Sequence, residues 1–148
     1  MLKGKRIVDL SHDLWPGREE YGLELDSRFV DEIYPNYKRR ADIWYVLQTV
    51  TLSSHVGTHI EFPRHFDEHG LDSAEFPLDR LIGAACRLDF RHKADNAAIT
   101  REDVQAYDEL IQPGDRVFLQ TGRFVNHNTP AAHHRPYLTP DATRWLIE

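Results

Sequence analysis

His55-Val56-Gly57-Thr58-His59-Ile60-Glu61-Phe62-Pro63-Arg64-His65 is the stretch that decides how this chain is read. Three histidines and one carboxylate fall within eleven residues, all at odd positions. Side chains of an extended chain alternate between faces, so these four share one face. A helix does not gather them: His55 and His59 would align, Glu61 and His65 would turn away, and Gly57 and Pro63 both oppose a helix. In a straight strand, however, His55 and His59 stand roughly 13 Å apart, too far for one ion to be held easily by both. The segment must bend between them, and Gly57 permits a sharp bend. The spacing therefore predicts a metal site on a kinked strand or loop.

Two histidines and a carboxylate are the donor set of an open, catalytic divalent-metal site. His55, His59 and Glu61 are the candidate ligands. Three protein ligands leave a position for water, whose pKa such a metal lowers to around 7. His65, beyond Glu61, is the candidate general acid or base near neutral pH. The plainer reading is a histidine-rich surface loop without metal. For any single histidine that reading is preferred; for the four together, with Gly57 placed to bend the chain, the metal site is preferred.

A chain of 148 residues with 41% hydrophobic content suits a single domain over 1–148. The formal charge of −6 argues against a nucleic-acid partner, and Arg39-Arg40 is too short a basic run to change that. One cysteine, Cys86, makes no internal disulfide, and its apolar surroundings mark it as a core residue. No signal-peptide-like or membrane-spanning stretch is present, which makes the cytoplasm the expected location and excludes a membrane partner.

Along the chain, Arg6–Ser11 reads as a short first strand and Trp15-Pro16-Gly17 as a loop. Residues 18–42 show no clean period and read as irregular. Ile43–Ser53 is rich in β-branched and aromatic residues, a strand feeding the histidine motif. Pro77–Ile82 reads as a short helix and Ala84–Phe90 as a strand. Thr100 is the N-cap of a helix running to about Leu110. Asp115–Thr121 is a strand, Arg123–Pro136 a polar loop, and Thr139-Pro140-Asp141 the start of a last helix. Strands interspersed with a few helices make a mixed α/β domain.

The block from His55 to His65 resembles the signature His-x-Gly-Thr-His-x-Asp-x-Pro-x-His of the cyclase family of metal-dependent hydrolases, which includes bacterial kynurenine formamidase and isatin hydrolase. Asp9-Leu10-Ser11-His12, Trp15-Pro16-Gly17, Gly114-Asp115 through Thr121-Gly122, and Tyr137-Leu138-Thr139 with Ala142 and Trp145-Leu146 are similar to other stretches of that family. The resemblance implies that His55, His59 and Glu61 bind a divalent metal, zinc or manganese, that His65 donates and accepts protons, and that Trp15 lines the substrate pocket. It implies a swivelling β/β/α fold, a mixed sheet with flanking helices, assembled as a homodimer or larger homo-oligomer. Two departures stand out. Glu61 replaces the aspartate of the pattern, and its extra methylene shifts the carboxylate. Family members also continue past residue 148 with a further histidine and glutamate, so the fold is expected to be incomplete at its C-terminus.

The chemistry expected is hydrolysis of a formamide, amide or lactam bond of a small, aromatic substrate, by metal-activated hydroxide with His65 as acid and base. Trp15, Tyr21, Trp44 and Tyr45 suit such a substrate, while a core role for Trp44 and Tyr45 is at least as strong an alternative. Two rivals remain. His59-x-Glu61 plus a distant histidine is also the facial triad of a non-haem iron oxygenase. A shortened family member could instead be inactive or scaffold-like, binding metal weakly or needing another chain to complete its site. His12 either approaches the site or does not; Asp9 either supports a ligand histidine or forms a turn. His69, His92, His127, His133 and His134 are expected at the surface.

Overall fold

A computed structural model describes Gly4 and residues 6–148. The chain divides into two compact units, Met1–Glu61 and Phe62–Glu148.

The first unit is built on an antiparallel pair, β1 (Leu23–Phe29) and β2 (Val46–Leu52), with Leu23 opposite Leu52 and Phe29 opposite Val46. The alternation puts Leu23, Leu25, Ser27 and Phe29 with Leu52, Val50, Gln48 and Val46 on one face, and Glu24, Asp26 and Arg28 with Thr51, Thr49 and Leu47 on the other. A single helical turn, α1 (Val30–Ile33), follows β1 and buries Val30. The linker to β2 is fastened by Arg39, whose guanidinium lies over the Phe29 ring at 3.9 Å, pairs with Asp31 at 3.2 Å and donates to the Ile43 carbonyl at 2.7 Å. Arg39 is thus an internal staple, and Arg40 pairs with Asp42.

In the second unit, β3 (Ala85–Asp89) and β5 (Arg116–Gln120) run parallel, with Cys86 opposite Val117 and Leu88 opposite Leu119. Between them the chain passes through β4 (Ala98–Ile99) and α2 (Arg101–Gln105), as a parallel pair requires a crossover. β4 pairs in parallel with β6 (Tyr137–Leu138), and α3 (Pro140–Ile147) closes the unit. The core gathers Cys86, Leu88, Phe90, Ile99, Val104 and Ala142, with Tyr107, Trp145 and Leu146 packed around them. Burial pushes the Cys86 thiol up, which keeps it protonated and inert. Both helices begin as their sequences predict. Thr100 Oγ1 accepts from the Asp103 N–H while Asp103 Oδ2 accepts from the Thr100 N–H at 2.8 Å, a reciprocal cap. Thr139 caps α3, with Pro140 in its first turn.

Four expectations are corrected. Arg6–Ser11 forms no strand; Ile7 and Leu10 stay exposed, and apolar alternation makes a strand only where a partner completes the ladder. The stretch 18–42 is not irregular, because it holds β1 and α1. The helix at Thr100 ends at Gln105 and continues to Leu110 as turns. Pro77–Ile82 yields a 3₁₀ turn, Leu78–Leu81. The strands at β2, β3 and β5 and the core placement of Cys86 are borne out. No helix among the described residues is long and apolar enough to cross a membrane.

Candidate metal centre

The motif leaves β2 at Leu52 and bends at once. Val56 N–H donates to the Ser53 carbonyl at 3.2 Å, closing a turn, and Ser53 Oγ accepts from the His55 N–H at 3.3 Å. Val56 is buried, which anchors the turn and turns its neighbour His55 the other way. Gly57 follows with φ +60°, a left-handed conformation that side-chain-bearing residues rarely adopt. The bend inferred from spacing is therefore shared between the Ser53–Val56 turn and Gly57.

That bend brings three donors together. One ring nitrogen each from His55 and His59 and one Glu61 oxygen lie within 4.8 Å of one another. His55 Nδ1 stands 3.0 Å from Glu61 Oε1, and His59 Nε2 stands 3.9 Å from the same oxygen. The donors of one tetrahedral ion with bonds of roughly 2.0–2.1 Å stand roughly 3.4 Å apart, so small side-chain adjustments suffice for a divalent metal to fit. The orientation of His59 supports that fit. Its Nδ1 lies 2.8 Å from the Gly57 carbonyl, and a carbonyl only accepts, so Nδ1 carries a hydrogen, and in the neutral form of the ring Nε2 has its lone pair for a ligand.

Around the donors, the Tyr21 ring meets His55 at 5.6 Å and the His55 and His59 rings meet edge-on at 5.3 Å. All three donor side chains are partly open, at 29%, 31% and 40% exposure for His55, His59 and Glu61, which leaves room for water or substrate. His12 donates its backbone N–H to Thr58 Oγ1 at 3.2 Å, so the first segment does reach the motif.

The other predicted residues have their own settings. Trp15 opens a tight turn in which the Arg18 N–H donates to the Trp15 carbonyl at 2.9 Å, Pro16 and a left-handed Gly17 holding the two central positions. Its indole is exposed, with the Arg18 guanidinium 5.8 Å from the ring. His65 lies in the second unit, on the 3₁₀ turn Pro63–His65, edge-on to Phe66 at 4.5 Å. Asp9 accepts from the Ser11 N–H at 2.9 Å, which holds its carboxyl below the usual range and makes it a turn former. Trp44 and Tyr45 are not core residues; Trp44 is 78% exposed and edges against Phe29. His69, His92, His133 and His134 are at the surface as expected, while His127 is half-buried. Leu14, packed against Gly57, carried no signal in the sequence, because its role depends on a partner 43 positions away.

Residues 8–148 match the family model described as "Putative cyclase". The chain belongs to the cyclase family. It is 38% identical to a kynurenine formamidase of Erythrobacter litoralis over 96% of this chain and 61% of that protein. It is 30% identical to a kynurenine formamidase of Geobacillus thermodenitrificans, over 66% of this chain and 44% of that one. Among solved structures it is similar to an isatin hydrolase bound to the product analogue thioisatinate, with a TM-score of 0.64 at 20% identity, covering 85% of this chain and 52% of the other. The fold is therefore the mixed α/β arrangement of that hydrolase. This family member spans between two fifths and two thirds of the lengths of these relatives.

Proposed function

We propose that this chain carries the metal-binding part of a hydrolase that cleaves a formamide, amide or lactam bond in a small aromatic substrate. The observation that carries the reading is the convergence of His55, His59 and Glu61. The family membership and the names of the relatives support it. Zinc or manganese held by these three residues would polarise the substrate carbonyl and acidify a water molecule. The chain's own groups do the rest. His65 gives a proton to the nitrogen that leaves as the carbon–nitrogen bond breaks. Trp15 and Tyr21 offer flat apolar surfaces to an aromatic ring. Glu61 adds a carboxylate oxygen to two imidazole nitrogens, a donor set suited to a divalent cation.

The test begins with metal content per chain after dialysis, for the protein and for His59→Ala, followed by hydrolysis of an aryl formamide and of isatin. Near-stoichiometric metal lost in the variant, with hydrolysis of either compound, is the expected result. Absence of bound metal from the unsubstituted chain would overturn the reading. The partial exposure of all three donors favours one alternative: a scaffold-like family member that binds metal weakly until another chain completes the site. In that case metal would bind weakly and neither compound would be hydrolysed. Self-association into a homodimer or larger assembly is part of the same proposal.

A further inference from the structure

We propose that Leu14 is a positioning residue for the metal centre, acting through the Gly57 carbonyl to set which ring nitrogen His59 presents. The inference rests on the metal-site reading above. The direction of the Gly57 carbonyl follows from its backbone angles, and glycine visits left- and right-handed conformations about equally readily. Left alone, Gly57 would not hold its carbonyl toward His59. Leu14 supplies the constraint. A Cβ placed on Gly57 would meet the Leu14 side chain, with Cγ at 3.2 Å and Cδ1 at 3.4 Å, and Cδ2 closer still. Leu14 therefore fills the space that a side chain at 57 would take.

A second tie acts on the adjacent residue, where the His12 N–H donates to Thr58 Oγ1 at 3.2 Å. The segment around 12–14 thus clamps two consecutive residues of the motif, and the clamped carbonyl accepts from His59 Nδ1 at 2.8 Å. The order of dependence is Leu14, then the Gly57 carbonyl, then the His59 tautomer, then a lone pair on Nε2. Leu14 is 41% exposed and outside the buried core, so its truncation isolates this effect from general destabilisation.

The experiment records the His59 ring ¹⁵N shifts in metal-free protein at about pH 8, where an ordinary imidazole is neutral, and cobalt(II) affinity by visible absorption. It compares the unsubstituted chain with Leu14→Ala, Leu14→Met and, as the non-binding reference, His59→Ala. In the unsubstituted chain the Nδ1–H tautomer should dominate. Leu14→Ala should mix the tautomers and weaken cobalt binding about 10-fold or more, in the range seen when a ligand histidine loses its hydrogen-bond partner. Leu14→Met, which refills the space, should restore both while circular dichroism stays the same throughout. Leu14→Ala with a single Nδ1–H tautomer and unchanged cobalt affinity would overturn the proposal. If the unsubstituted chain binds no cobalt, the metal reading fails by itself, and the metal-free tautomer still decides the role of Leu14.

Discussion

His65 carries the same imidazole as His55 and His59, but the element that bears it is different: a 3₁₀ turn opened by Pro63, with the ring edge-on to Phe66. A proton shuttle and a ligand make opposite demands under mutation. Removing the His65 imidazole should lower the hydrolysis rate by about 10²-fold while leaving metal content unchanged. Metal analysis and turnover on His65→Ala check this together, and loss of the metal would assign His65 to the ligand set instead. The ligand motif is legible in the sequence because its chemistry is local: three donors and a bend residue lie within seven positions, 55–61. Leu14 is not legible there, since what it does is defined by contact with Gly57 and not by its own type.

At the scale of elements, the turn bearing His65 is held by a close approach of two backbones. A Cβ on Gly70 would stand 2.7 Å from the Pro63 carbonyl carbon and 2.9 Å from the Arg64 nitrogen, and Arg64 N–H donates to the Leu71 carbonyl at 3.2 Å. Backbone atoms cannot rotate aside as a side-chain tip can. Gly70→Ala should therefore displace the Pro63–His65 turn and lower turnover without loss of metal, measured by the same pair of assays. The N-terminus of α2 gives a pH prediction. Asp103 is held below the usual carboxylate range first by the hydrogen bond from Lys93 and then by the Thr100 N–H. A depressed folded-state pKa stabilises at pH values above the unfolded value of about 3.9 and loses that contribution as pH falls through the lower folded value. Asp103→Ala should thus cost about 1 kcal/mol near neutrality, as loss of a cap does. In urea melts the gap to the unsubstituted chain should narrow progressively as the pH falls below the unfolded value of about 3.9. A gap independent of pH would mean that the charge of Asp103 contributes nothing. Caps such as Thr100 and Thr139 are legible because capping is a rule about three or four neighbouring residues. β1 is not, because Leu-Glu-Leu-Asp-Ser-Arg-Phe has little strand propensity and becomes a strand through its ladder with β2.

For the molecule as a whole, the pair β1–β2 poses the open energetic question. A two-stranded ribbon is marginal by itself in water, and an amphipathic one needs its apolar face covered. Here the more polar face carries Glu24, Asp26, Arg28, Thr49 and Thr51, together with a half-buried Leu47. The opposite face buries Leu23 but leaves Leu25, Val50 and Leu52 at 43%, 50% and 55% exposure. Contiguous apolar side chains of this kind mark association surfaces more often than idle ones. A second copy of the chain presenting the same face would bury all three from both sides, since a two-fold interface is self-complementary. Sedimentation velocity at micromolar concentration should therefore find a species of at least twice the chain mass of 17.3 kDa. Val50→Lys, placed at the middle of that face and outside the metal centre, should shift the distribution toward monomer, because a charge inserted on both sides of a two-fold contact is desolvated twice. A monomer in the unsubstituted chain, or an assembly indifferent to Val50→Lys, would remove the β1–β2 face from the interface and leave its apolar side chains without an energetic account.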